Sequence, residues 1–292
     1  MDGILIINKP KGRTSHDIVA KVKKIVGNKV GHTGTLDPNA TGVLPLLIGK
    51  GTLCSQYLME HDKIYEVVLK LGIKTDTADS EGNIIQEKEV MVEKLKQKNV
   101  EHILNGFVGK QEQMPPMYSA IKVNGKKLYE YARKGQAVEI KPRQIEIYNC
   151  ELKEINSKEK EISFTVHCSK GTYIRSLCED IAMKLKTVGY MKELNRTKVG
   201  RFSLAQAITV EELEDNISNE DFIKKHFISV ERAFEDKKSV TIKENRLKHF
   251  LNGVKLSLEL EDDLYRIYDE KNKFIGIGSI KNNLLKREII LE

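Results

Sequence analysis

The sequence predicts a mixed α/β (α+β) chain with a smaller β-rich unit at its C-terminal end. Apolar runs of strand length, such as Ile4 to Ile7, Val43 to Ile48 and Ile162 to Cys168, are interspersed with segments of helical period. At 292 residues the chain can bury one large core and a second, small one. Residues 238 to 292 carry only short β-prone runs divided by polar turns.

Taken in order, Ile4-Leu5-Ile6-Ile7 reads as a core strand. Thr14 with Asp17 three residues later is a capping-box pattern, and it opens a helix that runs through Val26 and stops at Gly27. Gly31 to Gly42 holds three glycines and a proline, too many for a helix, and does not alternate as a strand does. It reads as a rigid, tightly turned loop that lets a ligand approach the backbone, anchored by the buried strand Val43 to Ile48. Thr52 to Glu60 fits a short helix. Tyr65, Val67, Leu69 and Leu71 alternate with less apolar neighbours, which argues a strand with Tyr65 on its inner face. Val92 to Gly106 reads as an amphipathic helix, Ile162 to Cys168 as a strand, and Tyr173 to Lys186 as a helix with Arg175 near its start. Val210 to Asp221 is acidic and helix-like. The runs Val240 to Ile242, Tyr265 to Tyr268, Phe274 to Ile280 and Glu288 to Leu291 suit a small β-barrel.

The formal charge is +7, the sign expected of a protein that meets phosphates. Residues 229 to 292 hold 13 Lys and Arg against 12 Asp and Glu, leaving 36 against 30 in the remainder, so the excess sits in the larger part. Within residues 122 to 143, Lys122, Lys126, Lys127, Arg133, Lys134, Lys141 and Arg143 are interleaved with Tyr129 and Tyr131. Cations neutralise phosphates and rings stack on bases, so this segment fits a nucleic-acid clamp; a solvated excursion fits its composition equally well. Cys54, Cys150, Cys168 and Cys178 form no C-x-x-C pair and read as free buried thiols of a reducing cytosol. The N-terminus has no basic region or apolar stretch of the kind that makes a signal peptide or membrane span, which predicts a cytoplasmic chain.

Asp37 stands in the glycine-rich loop near His32. An Asp before a proline commonly bonds its own backbone in a turn, and this reading and a functional one stay level on the residues alone. Gly42 to Thr52, with Gly49-Lys50-Gly51, fails as a phosphate loop: six residues separate the glycines, and the lysine is followed by glycine. A glycosidase needs two cooperating carboxylates. Asp76 and Asp79 could partner Asp37, but a strand-end turn explains them as well.

The segment Gly31-His32-Thr33-Gly34-Thr35-Leu36-Asp37-Pro38 resembles the catalytic loop of the TruB family of tRNA pseudouridine synthases. Further segments similar to that family follow in the same order: Asn8-Lys9-Pro10-Lys11-Gly12 ahead of the loop, then Lys63-Ile64-Tyr65-Glu66, Leu71-Gly72 with Thr75-Asp76-Thr77, and Pro115-Pro116-Met117-Tyr118-Ser119-Ala120-Ile121-Lys122. Lys170-Gly171-Thr172-Tyr173-Ile174-Arg175-Ser176-Leu177 and Leu194-Asn195-Arg196-Thr197 with Gly200-Arg201-Phe202 complete the set, which spans about residues 1 to 205. The resemblance implies the pseudouridine synthase fold, a central, largely antiparallel sheet flanked by helices and loops, over residues 1–228. It implies an RNA-gripping thumb at about 118–143 and a PUA-like RNA-binding β-barrel over 229–292. The implied activity is isomerisation of uridine to pseudouridine at position 55 in the T arm of tRNA, by base flipping and an aspartate-dependent break and re-formation of the glycosidic bond. Asp37 would act on the sugar, as nucleophile or as base; Arg175 would hold it ionised, and Tyr65 would stack on the base and serve the final proton transfer. His32, Lys9, Tyr173 and Leu194 would bind or line the path of the RNA. No metal or cofactor, no membrane and no obligate protein partner is implied, and the chain would act as a monomer on tRNA. Asn195 departs from the family pattern, which favours a basic residue there.

Overall fold

The apolar run Ile4 to Ile7 is the middle of strand β1 (Gly3–Lys9), buried along its length. The structure, a computed structural model, describes residues 2–58, 61–136 and 138–291. Helix α1 (Ser15–Val26) begins at the expected box: Thr14 Oγ1 accepts the Asp17 N–H and the Asp17 carboxylate accepts the Thr14 N–H. It ends at Gly27 in the left-handed region. The glycine-rich loop is shorter than the sequence suggests, because β2 (Val30–His32) and β3 (Thr41–Ile48) take its two ends. Pairing of Gly31 with Leu47 and His32 with Leu46 makes strand of residues that show no alternation. The helix expected over Thr52 to Glu60 is α2 (Ser55–Leu58), preceded by a 3₁₀ segment, Gly49–Cys54; Met59 and Glu60 lie outside the described residues.

β4 (Lys63–Leu71) buries Tyr65, Val67, Leu69 and Leu71 on one face as predicted. A hairpin of β5 (Ile73–Thr75) and β6 (Ile84–Glu87) follows. The helix expected over Val92 to Gly106 is divided into a 3₁₀ turn, Val92–Leu95, and α3 (Gln97–Asn105). Lys96 between them is extended, and the Asn99 side-chain amide donates to the Lys94 carbonyl at 2.7 Å, so the break carries its own hydrogen bond. After β7 (Gly109–Gln113), the basic excursion forms a small hairpin of β8 (Lys122–Val123) and β9 (Lys126–Lys127), then α4 (Leu128–Ala132). Two long strands, β10 (Arg143–Asn156) and β11 (Glu161–Cys168), lead to α5 (Ile174–Lys184), β12 (Gly189–Val199) and β13 (Phe202–Ser203). The acidic stretch is two helices, α6 (Val210–Asn216) and α7 (Glu220–His226), before β14 (Phe227–Ser229) and α8 (Val230–Ala233).

These strands build a sheet in the order β14-β1-β3-β12-β4-β11-β10-β7, with β2 beside β3 and β13 beside β12. Each pairing is antiparallel except β3 with β12, where Thr41 faces Asn195 and Gly42 faces Arg196. One face packs Leu5, Ile7, Leu44, Tyr65, Val67 and Leu194 against α1, α3 and α5. At the β1–β3 end the other face packs Ile4, Ile6, Val43 and Leu47 against Phe202, Val230 and Phe234, and against Ile277 and Ile289 of the C-terminal sheet.

That C-terminal sheet is a curled half-barrel of β15 (Ser239–Ile242), β16 (Leu256–Ser257), β17 (Leu264–Asp269), β18 (Phe274–Lys281) and β19 (Leu284–Ile290), in the order β15-β17-β18-β19-β16. The four expected runs fall in strands. The sequence reading missed β16 and α9 (Glu244–Leu251), whose Phe250 is fully buried in this third core. Among the described residues no helix is long and apolar enough to cross a membrane.

The parallel step brings two backbones together at Gly42, whose φ is +106°. A Cβ there would sit 2.2 Å from the Arg196 carbonyl oxygen, against main chain that cannot yield. Gly42→Ala is therefore expected to lower unfolding stability by roughly 2–4 kcal/mol, read as a lower urea midpoint at unchanged slope.

Candidate active site

Gln113, at the end of β7, grips the backbone just ahead of α5. Its Nε2 donates to the Tyr173 carbonyl at 3.0 Å and its Oε1 accepts the Tyr173 N–H at 2.8 Å. This aims Arg175, from the first turn of α5, at the glycine-rich loop. The buried guanidinium meets Asp37 with two prongs, Nε to Oδ2 at 3.1 Å and Nη2 to Oδ1 at 3.3 Å. Nη2 also donates to the Tyr118 carbonyl at 2.8 Å and Nη1 to the Thr77 carbonyl at 3.2 Å, and Asp79 Oδ2 stands 3.7 Å from Nη1. One side chain thus joins four separate stretches of the chain.

The loop is held from below. Ser15 Oγ accepts the Leu36 N–H and donates to the Leu36 carbonyl. Pro38 O accepts from the Gly12 N–H and the Lys9 ammonium. Arg196 Nη2 donates to Gly34 O at 3.1 Å and Nε to Val43 O at 2.8 Å. Asp37 does take part in a turn through its carbonyl, which accepts the Ala40 N–H, but its carboxylate faces Arg175 rather than its own backbone. A third of the Asp37 side-chain surface stays open.

That opening gives onto a cleft of about 480 Å³ whose walls include Asp37, Tyr65, Tyr129, Tyr173, Leu194 and Arg196. A groove of about 550 Å³ lies against Glu66, Ser163 and Thr165 of the same sheet and does not contain the Asp37–Arg175 pair. Burial pushes the Asp37 carboxyl above the ordinary carboxylate value and Asp79 adds to the rise, while Arg175, then Lys9, oppose it. Burial pushes the Tyr65 phenol up to about 12, with Arg196 pulling the other way. Burial also raises Tyr173 and lowers His32, the latter helped by His16 and Arg196.

Of the residues predicted from sequence, Asp37, Arg175, Tyr65, Tyr173 and Leu194 converge on this cleft. His32 lies outside its lining: at the end of β2, its Nδ1 accepts the Gly34 N–H at 3.3 Å and its ring meets His16 edge-on. Lys9 corrects the expectation. It is fully buried beneath the loop, where its ammonium donates to Pro10 O and Pro38 O, so it braces the loop and does not line the cleft. Asn195, the departure from the family pattern, accepts from Thr41 Oγ1 and donates to Glu66.

Sequence reasoning gave no role to Arg196 or Gln113, and of the two readings it left for Asp79 the turn is the one observed, with a contact to Arg175 that neither foresaw. Asp79 Oδ1 accepts from Thr77 Oγ1 and the Glu81 N–H, as a turn residue does, while Oδ2 faces Arg175. The signal for Arg196 was its place two residues after Leu194, in the inward phase of β12.

Burial draws the Lys9 ammonium down from 10.5 to about 8, although Asp37 and Asp17 pull it upward. Between those pH values the unfolded chain binds the extra proton, so the Lys9 contribution to stability rises with pH. Measured against Lys9→Met, the wild type is expected to gain roughly 1–3 kcal/mol of relative stability across that window; chemical denaturation at matched pH values checks it.

Residues 21–174 match the model of the TruB family pseudouridylate synthase N-terminal domain. Residues 175–235 match the tRNA pseudouridylate synthase B C-terminal domain, and residues 239–287 the pseudouridine synthase II TruB C-terminal model. The chain is 46% identical to tRNA pseudouridine synthase B of Clostridium kluyveri over 97% of its own length and 96% of that protein. It is 42% identical to the protein of that name from Clostridium perfringens (strain 13 / Type A), over 100% of this chain and 99% of the other. A crystal structure of a Cbf5-Nop10-Gar1 complex contains a chain that superposes with a TM-score of 0.72 at 26% identity, covering 99% of this chain and 84% of that one. Matched from residue 21 to residue 287 and aligned end to end with these relatives, the chain belongs to the TruB family of pseudouridylate synthases.

Proposed function

We propose that this chain converts uridine to pseudouridine in tRNA, at position 55 in the T arm, with Asp37 as its catalytic carboxylate. The observation that carries the reading is the two-pronged ion pair of Asp37 with Arg175 in the wall of an open cleft. The reaction cuts the bond from uracil N1 to C1′, turns the base and joins C5 to C1′; C5 gives up its hydrogen as a proton and N1 takes one up. Atoms and electrons are conserved, so no cofactor is called for. An ionised carboxylate must reach the sugar, and in a dry site it needs a fixed cation to stay charged. Arg175 supplies that cation; Nη1 and Nη2 each also donate to a main-chain carbonyl, and Nη1 faces Asp79. Asp37 serves either as nucleophile at C1′ or as base toward a sugar proton; both routes need it charged and open to the cleft.

With its phenol pushed up to about 12, Tyr65 stays protonated at neutral pH. It offers the flipped base a stacking face and an O–H donor, and Arg196 beside it is the cation that would favour proton transfer through it. The base leaves its stack at a cost of roughly a few kcal/mol. Tyr129, with Lys127 and Arg133 each over its ring at 5.4 and 5.3 Å, presents a ring and cations to that RNA from the thumb at about 118–143. In this reading residues 1–228 catalyse and residues 229–292 act as a PUA-like RNA grip. His32 and Tyr173 contact nucleotides near the cleft and Leu194 forms an apolar wall. The enzyme works on tRNA in the cytoplasm as a monomer.

Tritium release from C5-labelled uridine in a T-arm stem-loop tests the assignment. Wild type is expected to release label and Asp37→Asn to lose at least ~10³-fold in rate while binding the stem-loop within about threefold. Retained turnover by Asp37→Asn would refute the role given to this carboxylate.

A further inference from the structure

Lys23 and Lys24, in the last turn of α1, and Lys29, just beyond it, are exposed and line one shallow hollow with Gly27 and Asn28. No acidic residue lines that hollow. Among the described residues no carboxylate lies within ion-pair distance of these three lysines, whereas Lys21 on the same helix bridges Glu211 and Glu214. Their backbone is fixed: the Gly27 N–H closes the helix on Lys23 O, Asn28 Oδ1 accepts the Lys29 N–H, and Lys29 O accepts the Gly49 N–H.

The carbonyl end of a helix carries only about half a negative charge, so it does not account for three ammonium groups side by side. Exposed on one hollow with no acidic partner among the described residues, they make a local positive potential that attracts anions. Helix α1 starts under the Asp37 loop, through Ser15 and Leu36, and rises about 12–14 Å from Ser15 to Lys23 and Lys24. That exceeds the ~10 Å screening length at 0.1 M salt, so the cluster acts only weakly on the reacting nucleotide and most strongly on phosphates that lie next to it. The neighbouring hollow continues through Lys29, Lys50 and Thr52; it holds one carboxylate, Asp2, which accepts the Lys50 N–H, and the Lys50 ammonium donates to Leu291 O in the C-terminal unit.

We infer that Lys23, Lys24 and Lys29 form a second phosphate-binding footprint, which takes tRNA backbone outside the T arm. The inference rests on the tRNA reading above. Its test is the triple variant Lys23→Glu, Lys24→Glu, Lys29→Glu in the full chain, alongside the triple glutamine variant, with thermal melting to verify folding. Binding of full-length tRNA is expected to weaken at least tenfold at 0.1 M salt, with the slope of log affinity against log salt shallower by about two. Affinity and tritium release on the isolated T-arm stem-loop should stay within about twofold of wild type. Unchanged binding of full-length tRNA would overturn the inference, and so would an equal loss on stem-loop and full-length tRNA. Failure of wild type to release tritium would count against the catalytic reading alone, since the footprint is read by binding.

Discussion

Arg175 and Asp37 are two opposite charges largely removed from water, and neither could be there without the other. An unpaired buried ion costs several kcal/mol, and breaking such a pair leaves that penalty uncompensated. The fold meets the requirement by bringing the glycine-rich loop, the Thr77–Asp79 turn, Tyr118 and α5 onto one guanidinium. None of these segments is near another in sequence, so the pair depends on the long sheet that brings them together. The geometry is rigid on the arginine side, where its donors are all directed, and open on the carboxylate side, where a substrate would enter.

The loop itself depends on a second buried cation. Arg196 donates to carbonyls on both sides of Asp37, from Gly34 and Val43, and leans on Tyr65. It can do so because the parallel step between β3 and β12 sets Gly42 opposite Arg196, with no side chain between the two strands. Lys9 performs the same service beneath Pro38. Three cations therefore surround one carboxylate, but only Arg175 touches it, and that division separates holding the loop from tuning the acid.

Much of this was legible in the sequence. The capping box at Thr14, the alternation from Tyr65 to Leu71 and the run at Ile4 each state a local preference that packing reinforced. Asp37, Arg175, Tyr65, Tyr173 and Leu194 were reached through the resemblance of their motifs, and the structure brings all five to one cleft. What failed to show has physical causes. Gly31 and His32 are strand because their partner strand supplies the ladder, and a loop-like sequence carries no trace of that. The break at Lys96 carries a local hydrogen bond from the Asn99 side chain that periodicity does not register. Lys9 was expected to line the cleft, because nothing local marks a lysine whose ammonium will be covered by two prolyl carbonyls. Arg196 was hidden by its charge, since an inward strand phase is read from apolar residues and an arginine interrupts it.

The central claim is that Arg175 keeps a buried Asp37 ionised, and the acid limb of the rate profile reads this directly. Single-turnover rates on the T-arm stem-loop across pH are expected to fall with acid as Asp37 takes up its proton, at a midpoint above the ordinary carboxylate value of 3.8. In Arg175→Met that midpoint should move upward by about one to three pH units, because an opposing charge has been removed. A midpoint that stays where it is, or moves down, would contradict the account.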